Sequence, residues 1–349
     1  MTEFNYRIKE EDKELTVKEL LRRNYHFSSR LLTRLKQQDL VTLNGQPVRG
    51  WMKPEAGDLL TVNLPAETSD YLPENIPLDV VFEDEALLVL NKQPGYVVHP
   101  TKGKPCHTIA NGLMYKMLAE GSSYKIRFAN RLDMNTSGLL IVAKSGFVQE
   151  ALIRQMKRGQ VQKRYLAVVD GLVASDYGTI DAPIGRPDPD EVERWLLPVE
   201  QGGYDSVTHY HVLRRFPAAG SGAPCGAAAT ALHASGSAAA SHTLVELTLE
   251  TGRTHQIRVH MASIGHPVTG DHLYNNGDPF LYRRLHGDFR RPEGEDEKST
   301  SPYIDRQALH AYRLSFTHPL SGELLALEAP LPADMQELIS KLAVDRDSL

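Results

Sequence analysis

The sequence is poor in several things at once. It has two cysteines in 349 residues, Cys106 and Cys225, far apart and without zinc-ligand spacing. That rules out a disulfide framework and suits a reducing compartment. No apolar run approaches the roughly 20 residues that span a bilayer, and the first fifteen residues are charged, without the apolar stretch of a secretion signal. No membrane partner is expected, and the expected location is cytoplasmic. Excess positive charge is also missing, because the formal net charge is −5. Gly220-x-Gly222 has no strand leading into it, so it does not read as a phosphate loop.

What is present is unevenly distributed. Residues 16–50 carry seven basic side chains (Lys18, Arg22, Arg23, Arg30, Arg34, Lys36, Arg49) against two acidic ones, Glu19 and Asp39. Val17, Leu20 and Leu21 have the spacing of an amphipathic helix. Ser28 or Ser29 can cap a second helix, with Leu31, Leu32 and Leu35 to one side and Arg30, Arg34 and Lys36 toward solvent. Val41-Thr42-Leu43 then meets Asn44-Gly45, a hairpin signal, and Asp58–Leu64 adds a strand. Residues 16–63 resemble an S4-like RNA-binding domain, which implies that Arg22, Arg23, Arg30, Arg34 and Lys36 face RNA. Residues 1–15 stand before it as an N-terminal segment, and a Pro-rich polar link covers 64–77.

From 78 to 345 the chain reads as one larger domain of many short strands and few long helices. The expected class is α+β, with a mainly antiparallel mixed sheet. Residues 217–241 are nearly all Ala, Gly, Ser and Pro and read as a mobile insertion. Residues 277–301 form a charged insertion carrying Arg283, Arg284, Arg290 and Arg291.

The chemistry concentrates in three segments. Asn130-Arg131-Leu132-Asp133-Met134-Asn135-Thr136-Ser137-Gly138 puts one carboxylate on a short loop between two apolar strand-like runs, where a scaffold can fix it. Gly138 permits a tight turn, and the Thr136 and Ser137 hydroxyls can bond the loop. The second segment is Lys163-Arg164-Tyr165-Leu166-Ala167. The third is Gly252-Arg253-Thr254-His255-Gln256-Ile257-Arg258-Val259-His260. His255 and His260 tempt a metal reading, but on a helix five residues lie about 140° apart, so no metal is expected. A helix over 254–264 would bury Ile257, Met261 and Ile264 and leave His255 and Arg258 on another side.

These three strings, in this order, resemble the motifs of the RluA family of RNA pseudouridine synthases. Asn91-Lys92-x-Pro94-Gly95 and Ala308-Leu309-His310-Ala311 extend the likeness through nearly the whole domain. The resemblance implies a pseudouridine synthase-like fold, an RNA substrate and isomerisation of uridine. It assigns Asp133, Tyr165 and Arg253 as catalytic, with Asn130, Arg131, Thr136, Ser137, Gly138, His255, Gln256 and Arg258 in support. Arg253 is then the arginine expected to pair with Asp133. One departure is Asn130, where many family members have histidine.

The reaction breaks the C1′–N1 bond, turns the base and joins C1′ to C5, without redox change, so no cofactor is expected. A carboxylate can attack the sugar or remove a proton, and the residues alone do not choose between these. A tyrosine can stack on the base and move a proton at C5. The target base must leave its stack, and RNA contacts elsewhere must offset that cost. Ribosomal RNA is favoured over transfer RNA, and a monomer is the default. A non-catalytic RNA-binding or ribosome assembly protein on the same fold is the alternative. A glycosidase would need a second carboxylate opposite the first, and no motif offers one.

Overall fold

The computed structural model describes residues 2–25, 27–49, 51–64, 67–101, 103–188, 192–218, 241–275, 301 and 303–344. Almost all of both expected insertions, 217–241 and 277–301, lies outside the described residues.

A small four-stranded sheet comes first. β1 (Thr2–Arg7), β2 (Val41–Leu43), β3 (Gln46–Pro47) and β4 (Leu59–Leu64) are ordered β1-β4-β2-β3. Asn44 and Gly45 both take positive φ, +50° and +78°, the geometry that suits a two-residue hairpin. Helices α1 (Val17–Tyr25) and α2 (Ser29–Gln37) bury Leu20, Leu21, Leu32 and Leu35. The Ser28 hydroxyl caps α2 by accepting from the Leu31 N–H.

One expectation is corrected by the structure. Residues 1–15 are not a separate segment, because β1 pairs with β4 along its whole length. The alternation of Phe4, buried, with charged and polar neighbours made a half-buried strand that the high charge concealed. Arg22, Arg23, Arg30, Arg34 and Lys36 are all exposed. Arg23 also forms an ion pair with the fully buried Asp12, which accepts the Tyr6 hydroxyl at 2.6 Å.

The large domain is built on β5 (Asp79–Glu83), β6 (Leu87–Lys92), β7 (Arg127–Phe128), β8 (Ser137–Ala143), β9 (Gln162–Asp170), β10 (Tyr177–Asp181), β11 (Ile184–Gly185), β12 (Trp195–Leu196), β13 (Val207–Phe216), β14 (His242–Leu249), β15 (Leu309–Thr317) and β16 (Leu324–Glu328). Among the described residues the main sheet runs β10-β13-β14-β9-β15-β8-β6-β5, with β7 on β8 and β16 on β15. The β15–β8 pair is parallel and the other named strand pairs of this sheet are antiparallel. This is the mainly antiparallel mixed sheet expected for an α+β protein.

Both faces of the sheet centre are buried, and the two-residue alternation sorts them. Leu88, Leu90, Leu140 and Val142 join a core with α3 (Ile109–Glu120), α5 (Gln256–Ser263) and α6 (Ala333–Val344). Leu87, Val89, Leu139 and Ile141 face the other way, toward α4 (Gly146–Lys157) and the small domain. Phe147 of α4 meets Phe27 at 4.7 Å and Phe4 at 6.4 Å between ring centroids. The small domain is therefore packed on the back of the large sheet.

Candidate active site

Asp133 lies on the loop between β7 and β8, at the floor of a cleft of about 970 Å³. The loop is fastened residue by residue. The Asp133 carbonyl accepts from the Thr136 N–H at 3.1 Å. The Met134 carbonyl accepts from the Gly95 N–H at 3.0 Å and from Lys92 Nζ at 2.8 Å. The Asn135 carbonyl accepts from Arg306 Nη1 at 3.0 Å, and Arg306 is itself forked onto Asp334 of α6 at 2.6 and 2.9 Å. Consecutive backbone acceptors with fixed donors leave the Asp133 Cα little freedom.

The two hydroxyls behave differently from expectation. Thr136 Oγ1 accepts from Gln307 Nε2 at 3.2 Å, and Ser137 Oγ bonds His310 Nδ1 at 2.9 Å. They tie the loop to the segment entering β15 rather than to itself, because β8 and β15 run side by side there. Gly138 has φ +110°, and a Cβ on it would overlap the Ala311 backbone. Only glycine lets the two chains approach so closely. Asn130 bridges to β8, donating to the Leu139 carbonyl at 3.2 Å and accepting from the Ile141 N–H at 2.8 Å. It anchors the loop entrance without any charge.

The arginine on Asp133 is Arg258, not Arg253. Arg258 Nη1 reaches Asp133 Oδ2 at 3.1 Å. Its other edge makes a bidentate fork with Asp271, Nε to Oδ2 at 2.6 Å and Nη2 to Oδ1 at 2.7 Å. Asp271 is fully buried and also accepts the Leu273 and Tyr274 N–H groups at 3.0 and 3.1 Å. Burial alone would raise the Asp271 pKa, but Arg258 and these backbone donors hold it below the usual carboxylate range. Burial likewise opposes the charge on Arg258, and Asp271 overcomes it. A planar guanidinium serves both carboxylates at once, which a lysine would not.

Arg253 stands on the rim. Its Nε donates to the Asp205 carbonyl at 3.2 Å, and its guanidinium lies 5.4 Å from the Tyr204 ring centroid. It is exposed, as are Arg131 and Lys157 on the same cleft. The difference comes from where α5 starts. His255 has φ +59°, so the helix begins at Gln256 and not at 254. Arg253 precedes this kink and faces outward, whereas Arg258 lies inside the helix. Every residue of α5 is buried, and Ile264, expected in its buried stripe, is 37% exposed.

Gln256 braces the kinked loop. Its Oε1 accepts from Thr251 Oγ1 at 2.8 Å and the Arg253 N–H at 2.9 Å, while Nε2 donates to the Val207 carbonyl at 2.9 Å. His255 Nδ1 lies 2.9 Å from the Tyr274 hydroxyl, and Nε2 is 3.9 Å from Asp133 Oδ2. Burial pulls the His255 pKa down to about 4. His260 is fully buried, and its nitrogens are taken by Thr208 Oγ1 and the Ala182 carbonyl.

Tyr165 comes from β9 and lines the cleft with Asp133, 7% exposed. Burial, then the Asp133 charge, raises its phenol well above the usual range, so it is a neutral ring there. Lys163, two residues earlier on the same face, also lines the cleft, and burial lowers its pKa.

Several members of this site had no assigned role in the sequence. Lys92 is 1% exposed and donates to three carbonyls, those of Gln93, Tyr96 and Met134, at 2.9, 3.0 and 2.8 Å. Burial pulls its pKa down to about 7, with Asp133 acting the other way. Its signal was the Asn91-Lys92-x-Pro94-Gly95 string. His310 likewise sat in the Ala308–Ala311 string. Asp271, Tyr274 and Arg306 lay in no string that was singled out.

Comparison with known proteins completes the picture. A model of the RNA pseudouridylate synthase family matches residues 86–263, the stretch that holds Asp133, Tyr165 and Arg258. The chain belongs to that family. It is similar to the uncharacterized RNA pseudouridine synthase YlyB of Bacillus subtilis (40% identity, covering 86% of this chain and 85% of that one). It is also similar to ribosomal large subunit pseudouridine synthase D of Xanthomonas campestris (37% identity, covering 91% and 85%). The solved structure of human RNA pseudouridylate synthase domain containing 4 shares its fold, with TM-score 0.52 at 23% identity over 76% of this chain and 93% of that one. A pseudouridine synthase is an isomerase acting on RNA, and that is the activity of this chain.

Proposed function

We propose that the protein modifies a uridine in structured ribosomal RNA of the large subunit, with Asp133 as the reacting carboxylate. The observation that carries the reading is the contrast between the two oxygens of Asp133. Oδ2 is held by Arg258, whereas among the described residues no hydrogen bond reaches Oδ1. A carboxylate fixed at one oxygen and open at the other, on a braced loop at a cleft floor, suits attack on a sugar carbon or removal of a sugar proton.

The other roles follow from position. Tyr165 supplies the apolar ring against which a flipped base stacks, and its neutral phenol lies beside the site of proton exchange. Arg258, with Asp271 behind it, orients Asp133. Arg253, Arg131, Lys157 and Lys163 meet phosphates at the rim. The exposed Arg22, Arg30, Arg34 and Lys36 give the S4-like domain a sequence-independent hold on RNA, which offsets the cost of base flipping. The ribosomal target rests on the naming of the Xanthomonas relative, and such a substrate puts the enzyme in the cytoplasm.

The test is tritium release from C5-labelled RNA by Asp133→Asn. Turnover is expected to vanish while RNA affinity and folding persist. Substantial turnover in that variant would remove Asp133 from the chemistry.

A further inference from the structure

We infer that His255 serves Asp133 as an uncharged N–H donor, with its proton fixed on Nε2 by Tyr274, so that Oδ1 is the reacting oxygen. This rests on Asp133 being the reacting carboxylate.

A backbone amide beside Tyr274 can only donate. The Arg194 backbone N–H reaches the Tyr274 hydroxyl oxygen at 2.7 Å. That oxygen therefore accepts, and its single hydrogen is left for its other neighbour, His255 Nδ1, at 2.9 Å. Nδ1 can take this hydrogen only when it carries none itself. A neutral imidazole then bears its proton on Nε2. The opposite tautomer fails twice. Among the described residues it would leave the hydroxyl hydrogen of a fully buried tyrosine without an acceptor. It would also point the bare Nε2 lone pair at Asp133 Oδ2, 3.9 Å away.

The charged ring is disfavoured by the surroundings. Asp133 and Asp271 favour it, but burial, Arg258 and Arg194 act against it. The left-handed backbone at His255 lifts the residue out of α5 and toward the carboxylate. Both directed groups, Arg258 and His255, then address the same oxygen. An uncharged donor orients that oxygen without adding a second full cation, which would weaken Asp133 as a base or nucleophile. The gap of 3.9 Å is longer than a hydrogen bond, and catalytic hydrogen bonds that are long without substrate characteristically tighten in the substrate complex. His255 and Tyr274 are thus positioning residues, in a relay from Arg194 through Tyr274 to His255 and Asp133.

The test is long-range proton–nitrogen correlation on full-length protein with 15N-labelled histidine at pH 7. His255→Gln identifies the signal among the 14 histidines. The expected spectrum shows a protonated Nε2 and a bare Nδ1. Tyr274→Phe keeps the ring but loses the hydroxyl. It should mix the two tautomers and lower kcat roughly tenfold, the worth of one good hydrogen bond, with KM for RNA unchanged. An Nδ1–H tautomer, an imidazolium at pH 7, or an unchanged kcat in Tyr274→Phe would overturn the inference. The spectrum is read without turnover, so the two failures separate. A wrong tautomer beside an inactive Asp133→Asn sinks this inference alone, whereas an active Asp133→Asn sinks the assignment on which it rests.

Discussion

The floor and the rim of the cleft use the same residue type in opposite ways. On the floor, Arg258 is 7% exposed and spends its donors on Asp271 and Asp133. On the rim, Arg253 is exposed, held by one backbone carbonyl and a tyrosine face. They lie five positions apart in the chain. A buried guanidinium bonded at each of its three nitrogens fixes a geometry; an exposed one, under the proposed function, meets a polyanion. The two should therefore fail differently when altered.

The largest effect belongs to the floor. Asp271→Ala leaves the Arg258 charge buried with half its partners gone, and should destabilise the fold by about 3–5 kcal/mol, read from denaturant midpoints at unchanged slope. A loss under about 1 kcal/mol would mean that water replaces the carboxylate and that the floor is less closed than described. Next comes Lys92→Met, which strips a donor from three buried carbonyls and should cost about 2–3 kcal/mol.

The lysine variant also has a pH signature. Burial sets the folded Lys92 pKa at about 7, below the unfolded value of 10.5. Between those values the unfolded chain holds the extra proton, so the Lys92 contribution becomes more favourable as pH rises. The stability difference between the native protein and Lys92→Met should therefore widen from pH 7 toward pH 10. A constant or narrowing difference would show that the ammonium is not penalised there.

The rim should give smaller and different effects. Arg253→Ala is expected to change folding stability by less than about 0.5 kcal/mol, while weakening RNA binding and lowering the slope of log K against log salt by about one. A large stability loss with an unchanged salt slope would put Arg253 with the floor. Smallest is Arg34→Ala on α2, which should trim RNA affinity and the salt slope without touching kcat. A lowered kcat at saturating RNA would mean that the small domain takes part in the chemical step.

The same contrast explains what the sequence disclosed. The Asp133 loop was legible because a carboxylate and a Thr-Ser-Gly turn between apolar strands leave few alternatives. The strands were legible from alternation, as in Val245, Leu247 and Leu249 against Glu246, Thr248 and Glu250. Which arginine faces Asp133 was not legible. That choice depends on one left-handed residue, His255, and no periodicity announces a positive φ outside glycine and asparagine. Asp271 and Tyr274 were hidden for a related reason. Their roles arise from a neighbour 13 or more positions away in the chain, which only the packing of the 271–274 turn back against α5 brings close. β1 was missed because charge density outweighed a weak alternation.

Gly138 carries a consequence for heredity. Its backbone passes so close to Ala311 that any side chain collides, and every missense change from glycine brings one. The position is closed to drift in a single step. A lineage could reshape the rim or the small domain one substitution at a time, but Gly138 and Ala311 would have to move together. The exit of the Asp133 loop is thus a place where ancestry stays written.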